Sequence, residues 1–142
     1  MNKYLIITCT LTCMLSCNSK PRPIIEGDDA CVFCKMHIAD KRFAWETISN
    51  TGKISVFDDV SCLQSQIAMH TEFKHNMEQV YVTDYANPEV LLPAEQAFFY
   101  VSPVLHSPMG GNVAAFSDNA QRNMLATEVP GQNISYQLLI QK

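Results

Sequence analysis

The sequence is poor in the features that most enzymes and nucleic-acid-binding proteins share. Five glycines in 142 residues form no glycine-rich run of the kind whose backbone N–H groups cradle a phosphate. There is no Ser, His and Asp order of the hydrolase type, and no pair of carboxylates set for acid–base work. Hydrolysis and phosphoryl transfer are left without machinery, so the chain reads as a non-enzyme. Cations are also scarce, with 10 Lys+Arg against 14 Asp+Glu and a formal net charge of -4. Such a surface repels phosphates, which excludes nucleic acid as a partner. No apolar run approaches the roughly 20 residues that a membrane-spanning helix requires. What remains, at 47% hydrophobic content, is enough material for the core of one domain.

The N-terminus has its own character. Lys3 is followed by Tyr4-Leu5-Ile6-Ile7-Thr8-Cys9-Thr10-Leu11-Thr12-Cys13-Met14-Leu15 without a further charge, a secretory signal with an h-region of roughly 12 residues. Met14-Leu15-Ser16-Cys17 resembles a bacterial lipobox, which implies that residues 1–17 are a lipoprotein signal and that Cys17 is lipidated. The alternative is an ordinary cleaved signal with Cys17 unmodified. Acyl chains on Cys17 would anchor the protein firmly, since each buried CH₂ contributes about 0.8 kcal/mol. The expected location is the bacterial cell envelope, with the domain facing the periplasm and the membrane as a partner through the lipid. Residues 18–29 are polar and contain proline, and read as a flexible tether to a domain at 30–142.

Cysteine usage follows from this division. Cys9 and Cys13 leave with the signal and Cys17 is used for lipid, so Cys31, Cys34 and Cys62 remain. An odd number in an oxidising compartment is not a disulfide framework.

Within the domain, Arg42-Phe43-Ala44-Trp45-Glu46-Thr47-Ile48 and Lys53-Ile54-Ser55-Val56-Phe57 alternate around Asn50-Thr51-Gly52 and predict a hairpin. Asp58 or Asp59 caps a helix carrying Val60, Leu63 and Ile67, expected to run to Phe73, and residues 79–83 form a third strand. Strands at 96–101 and 112–116, a helix opened by Asp118 and a last strand at 134–140 repeat that order. The period of about 59 residues, from Phe57 to Phe116, predicts an α+β domain of two similar ββαβ halves. The other reading is a chance recurrence of hairpin and helix.

The chemistry is concentrated in Cys31-Val32-Phe33-Cys34-Lys35-Met36-His37, where two thiols, a thioether and an imidazole fall within one short run. Thiolate and thioether are soft donors that favour Cu(I), and a zinc site would rarely use methionine. Met36 discriminates between the two, although methionine also serves as a core filler. His106-Ser107-Pro108-Met109-Gly110-Gly111 is a second cluster, with His106 and Met109 held out by a tight loop or His106 simply solvent-exposed. Cys62 lies in the first turn of the expected helix, whose positive end would lower its pKa. It reads as a third ligand, as a disulfide partner of Cys31 or Cys34, or as a buried thiol. His70 and His75 read as surface residues.

Cys31-x-x-Cys34-x-Met36-x-Ile38-x-Asp40, Phe57-Asp58-Asp59-x-x-Cys62, Tyr81-Val82-Thr83-Asp84-Tyr85 and Pro108-Met109-Gly110 before Ala115-Phe116 together resemble the NosL family of copper-binding lipoproteins. The resemblance spans the mature domain in order. It implies two ββαβ halves, a Cu(I) site using cysteine and methionine sulfur, and delivery of copper to nitrous oxide reductase or its assembly machinery. It carries over Cys34, Met36 and Met109 first as ligands, then Cys31, Cys62 and His106. Two other classes compete: a thiol–disulfide oxidoreductase using Cys31 and Cys34, and a binding module with a structural zinc on Cys31, Cys34, Cys62 and a histidine.

Overall fold

Alternation of aromatic and β-branched residues produces the expected hairpin. A computed structural model describes residues 19–141. In it β1 (Trp45–Ser49) pairs antiparallel with β2 (Ile54–Phe57), Trp45 facing Phe57 and Ile48 facing Ile54. Gly52 supplies the left-handed residue of the turn, at φ 80°. Asp59 then accepts a hydrogen bond from Ser61 N and caps α1 (Val60–Met69). The helix stops short of Phe73, because the chain leaves helical geometry at His70 and re-enters it as the short α2 (Thr71–Asn76). It continues as β3 (Met77–Thr83), which pairs with the free side of β1. β4 (Leu91–Pro93), too short to show a period in sequence, extends the sheet to the order β2-β1-β3-β4.

The second half repeats the plan. β5 (Phe98–Val101) lies between β6 (Val113–Phe116) and β7 (Gln132–Ile134), and α3 (Asn119–Glu128) connects β6 to β7. In both halves the first strand is central and flanked by the second and third, which gives two ββαβ units with antiparallel sheets. The halves differ in their hairpin connections: residues 50–53 in the first, and the much longer 102–112 in the second.

Two expected strands are corrected by capping side chains. The segment at 134–140 is strand only as far as Ile134, because Ser135 accepts from Leu138 N and opens α4 (Tyr136–Ile140), which buries Leu139. Arg42 and Phe43 belong to a 3-10 turn (Lys41–Phe43) because Asp40 accepts from Arg42 N.

One core unites both sheets, with Trp45 of β1 stacked on Phe99 of β5 at 5.6 Å and 6°. The folded region also begins earlier than Ala30. Within the expected tether 18–29, Ile24 is buried in the core, Arg22 N donates to Glu46 and the Arg22 guanidinium pairs with Asp29. Burial of Ile24 and the hydrogen bond from Arg22 N to Glu46 hold this stretch to the domain. The signal and Cys17 lie outside the described residues, among which no helix is long and apolar enough to cross a membrane.

Candidate metal centre

Residues 31–36 close on themselves as a tight loop. Cys31 N donates to the Met36 carbonyl at 2.8 Å and Lys35 N donates to the Cys31 carbonyl at 3.0 Å. Lys35 sits at φ 66°, a conformation that costs a non-glycine residue about 1 kcal/mol. The loop is fastened to β2 by Val32 N donating to the Val56 carbonyl at 2.9 Å. Since β2 leads directly into α1, this places Cys31 and Cys34 against the helix start that carries Cys62. The sulfurs of Cys31, Cys34 and Cys62 all lie within 4.8 Å of one another, and all three are free thiols. Cys31 and Cys62 are buried, whereas Cys34 is half-buried and forms the outer member.

Their acidities are divided in a way that helix position alone did not predict. The Cys62 thiol donates to Cys31, and the backbones of Cys34, Asp58 and Phe33 support the same sulfur, so Cys31 falls to about 5. Cys62, expected to be lowered by the helix end, is instead pushed up: it gives its hydrogen bond to Cys31, is desolvated and faces the charge on Cys31. Burial also raises Cys34. Of the three thiols, Cys31 is thus the one whose acidity is enhanced, and Cys34 and Cys62 are shifted the other way. Asp58, fully buried nearby, accepts from Ala39 N at 3.0 Å while its other oxygen has no partner among the described residues. Desolvation raises its pKa.

Asp59 joins the second cluster to this one. One oxygen caps α1; the other accepts from Ser107 Oγ at 2.6 Å, Met109 N at 3.1 Å and Gly111 N at 2.9 Å. Its carbonyl accepts from Cys62 N at 3.2 Å, so a single residue holds the backbones of Cys62 and Met109. Gly111 permits the approach, since a Cβ there would stand 2.6 Å from Val60 Cγ1. Sequence reading took Asp59 only as a helix cap; its second role had no local signal, because its partners lie some fifty residues along the chain.

The expected ligands thus fall into two groups. Cys31, Cys34 and Cys62 converge. Met36 and Met109 are exposed on the two loops that flank the helix start, at 51% and 38%. His106 is exposed at φ 48° and lies outside the thiol group, as does His37, whose Nδ1 is 3.2 Å from the Asp28 carbonyl. A thiol–disulfide mechanism loses its usual support, because residues 32–34 form a turn and no helix starts at Cys31 or Cys34.

Two antiparallel sheets of ββαβ order, joined over one core and bearing a three-thiol cluster at the first helix start, define an α+β protein with a metal-competent sulfur site. The chain belongs to the NosL family, whose model matches residues 22–141. Its fold is similar to the crystal structure of the copper chaperone NosL from Shewanella denitrificans, with a TM-score of 0.71 and 21% identity over 84% of this chain and 94% of that one. Comparison with curated proteins finds no match.

Proposed function

We propose that this protein is a Cu(I) metallochaperone, anchored by lipid on Cys17 in the bacterial cell envelope, that hands copper to an extracytoplasmic copper enzyme. The observation that supports this most is the convergence of three free thiols within 4.8 Å at a site with one half-buried edge. Such a donor set suits a soft monovalent ion. Met36 and Met109 offer thioether sulfur from the exposed loops, a donor that zinc rarely takes. The name given to the Shewanella protein accords with this reading.

The geometry suggests how cargo is held and released. Cys31, already inclined to the thiolate, and Cys62 form the inner wall, and Cys34 with Met36 the outer one. A client ligand attaching at the outer wall meets the ion while the inner sulfurs still hold it, so exchange proceeds without release into solvent. Nitrous oxide reductase, or its assembly machinery, is the client that family membership implies.

The test is titration of the reduced protein with Cu(I) against a competing chelator. One equivalent is expected to bind, with Cys34→Ser weakening it at least about tenfold and Met36→Leu and Met109→Leu weakening it less. If all three variants bind as the parent does, the site is wrong. Removing metal should leave the fold intact, whereas a structural zinc centre would unfold.

A further inference from the structure

Of the five described cations without a carboxylate partner, three gather at one end. Arg22 pairs with Asp29, Lys41 with Glu89 and Arg42 with Asp40, while Lys35 donates to the Val32 carbonyl and Arg122 lies over Phe98. Lys20, Lys53 and Lys74 make no ion pair among the described residues. Topology brings these three together. A Cβ on Gly52 would stand 2.5 Å from Ser19 Oγ, so Lys20 lies next to the turn that carries Lys53. Asn50 N donates to the Asn76 carbonyl at 2.9 Å, which brings the last turn of α2, with Lys74 and His75, to the same turn. A cavity of about 340 Å³ opens there, lined by Lys53, Asn50, Thr51, Asn76, Phe73 and Met77. Glu72 is the carboxylate on α2, and Glu78 lines a different cavity with Tyr81 and Tyr136.

This is also the end at which the chain enters the described structure, at Ser19. Two residues of extended chain span at most roughly 7 Å, so a lipid on Cys17 would be held against it. From the turn, β2 runs away to Phe57, and the thiols lie beyond its far end. At about 3.3 Å per residue the step from Lys53 to Asp58 is roughly 16 Å.

We propose that the end formed by Lys20, Lys53 and Lys74 is a docking surface for the anionic headgroups of the membrane, and that docking it turns the thiol cluster outward toward a client. The proposal rests on the reading that Cys17 carries the anchor. Cationic side chains are drawn to an anionic leaflet within a Debye length, while the acidic remainder of the protein is repelled. Attraction at one end and repulsion elsewhere fix an orientation that a tether alone would leave free.

Acetylation of lysines, read by peptide mass on the full chain in lipid nanodiscs, tests this. In discs of phosphatidylethanolamine with phosphatidylglycerol, Lys20, Lys53 and Lys74 should react about fivefold more slowly than in phosphatidylcholine discs, and Lys35, beside the thiols, at an unchanged rate. The Lys53→Gln variant should reduce the difference at Lys74, which lies on α2 and far along the chain from the anchor. Equal rates at Lys53 and Lys74 in both lipids, or protection of Lys35 to the same degree, would overturn the proposal. The mass of the N-terminal peptide from the same digest reports the acyl chains separately. With Cys17 unmodified the anchor reading fails, and the footprint still decides the surface: slowing that depends on phosphatidylglycerol upholds it, and its absence overturns it.

Discussion

The two long helices start in the same way and in different surroundings. Each follows a strand ending in phenylalanine, Phe57 or Phe116, and each is capped by an aspartate, Asp59 or Asp118. Asp118 is exposed, and α3 behind it buries no residue fully. Asp59 is buried, and α1 carries Val60, Cys62, Leu63 and Ile67 into the core. The local device is shared, while the chemistry belongs to the start that is covered. It is covered because the enlarged hairpin loop of the second half, 102–112, folds onto the first half's helix. The two halves share a plan and differ in this loop, which binds Asp59 at the helix start that carries Cys62.

Removing the two caps should expose that asymmetry most strongly. Asp59→Ala leaves the Ser107 hydroxyl and the N–H groups of Ser61, Met109 and Gly111 without their acceptor, and should cost about 3 to 4 kcal/mol in urea unfolding. Asp118→Ala loses a cap to Gln121 N alone and should cost about 1 kcal/mol. Equal losses would break the comparison. Gly111→Ala comes next: its Cβ would collide with Val60 and Asp59, and a loss of about 2 kcal/mol is expected, together with weaker Cu(I) binding as the Met109 loop is displaced.

A pH-dependent effect distinguishes the first sheet from the second. Glu46 on β1 is fully buried, one oxygen taking Arg22 N and the other without a partner among the described residues, and desolvation raises its pKa. A raised folded pKa is neutral to stability below the unfolded value of about 4 and costs stability as the pH rises through the folded value. Glu46→Gln should therefore be about 1 kcal/mol more stable than the parent at pH 7, with the gap closing as the pH falls toward 4. A gap independent of pH would show that the carboxylate charge is not the cause. The smallest effect is expected at Lys35→Gly, which relieves the left-handed backbone and should raise stability by about 0.5 kcal/mol with Cu(I) affinity retained.

These residues also mark what could be read from sequence. The aromatic-to-aspartate junctions at Phe57 and Phe116 were legible because strand end and helix cap are local signals, and they sufficed for the ββαβ repeat. β4 and α4 were not: a three-residue strand has no period, and Ser135 redirects an apolar run that otherwise reads as strand. Cys31 and Cys34 were legible by spacing. Cys62 needed the Val32 to Val56 hydrogen bond that lays the loop beside β2, and the acidities needed the hydrogen bond between Cys31 and Cys62, which only the fold reveals. Arg22 and Ile24 looked like tether because two side chains in a polar stretch make no pattern; only Glu46 and the core give them a place.

X-ray absorption of the reduced protein loaded with one equivalent of Cu(I) tests the central claim most directly. A site built on Cys31, Cys34 and Cys62 predicts a first shell of sulfur alone, altered in number or distance by Cys62→Ser and unchanged by His106→Ala. A shell containing nitrogen that disappears with His106→Ala, and that Cys62→Ser leaves as it was, would contradict the account.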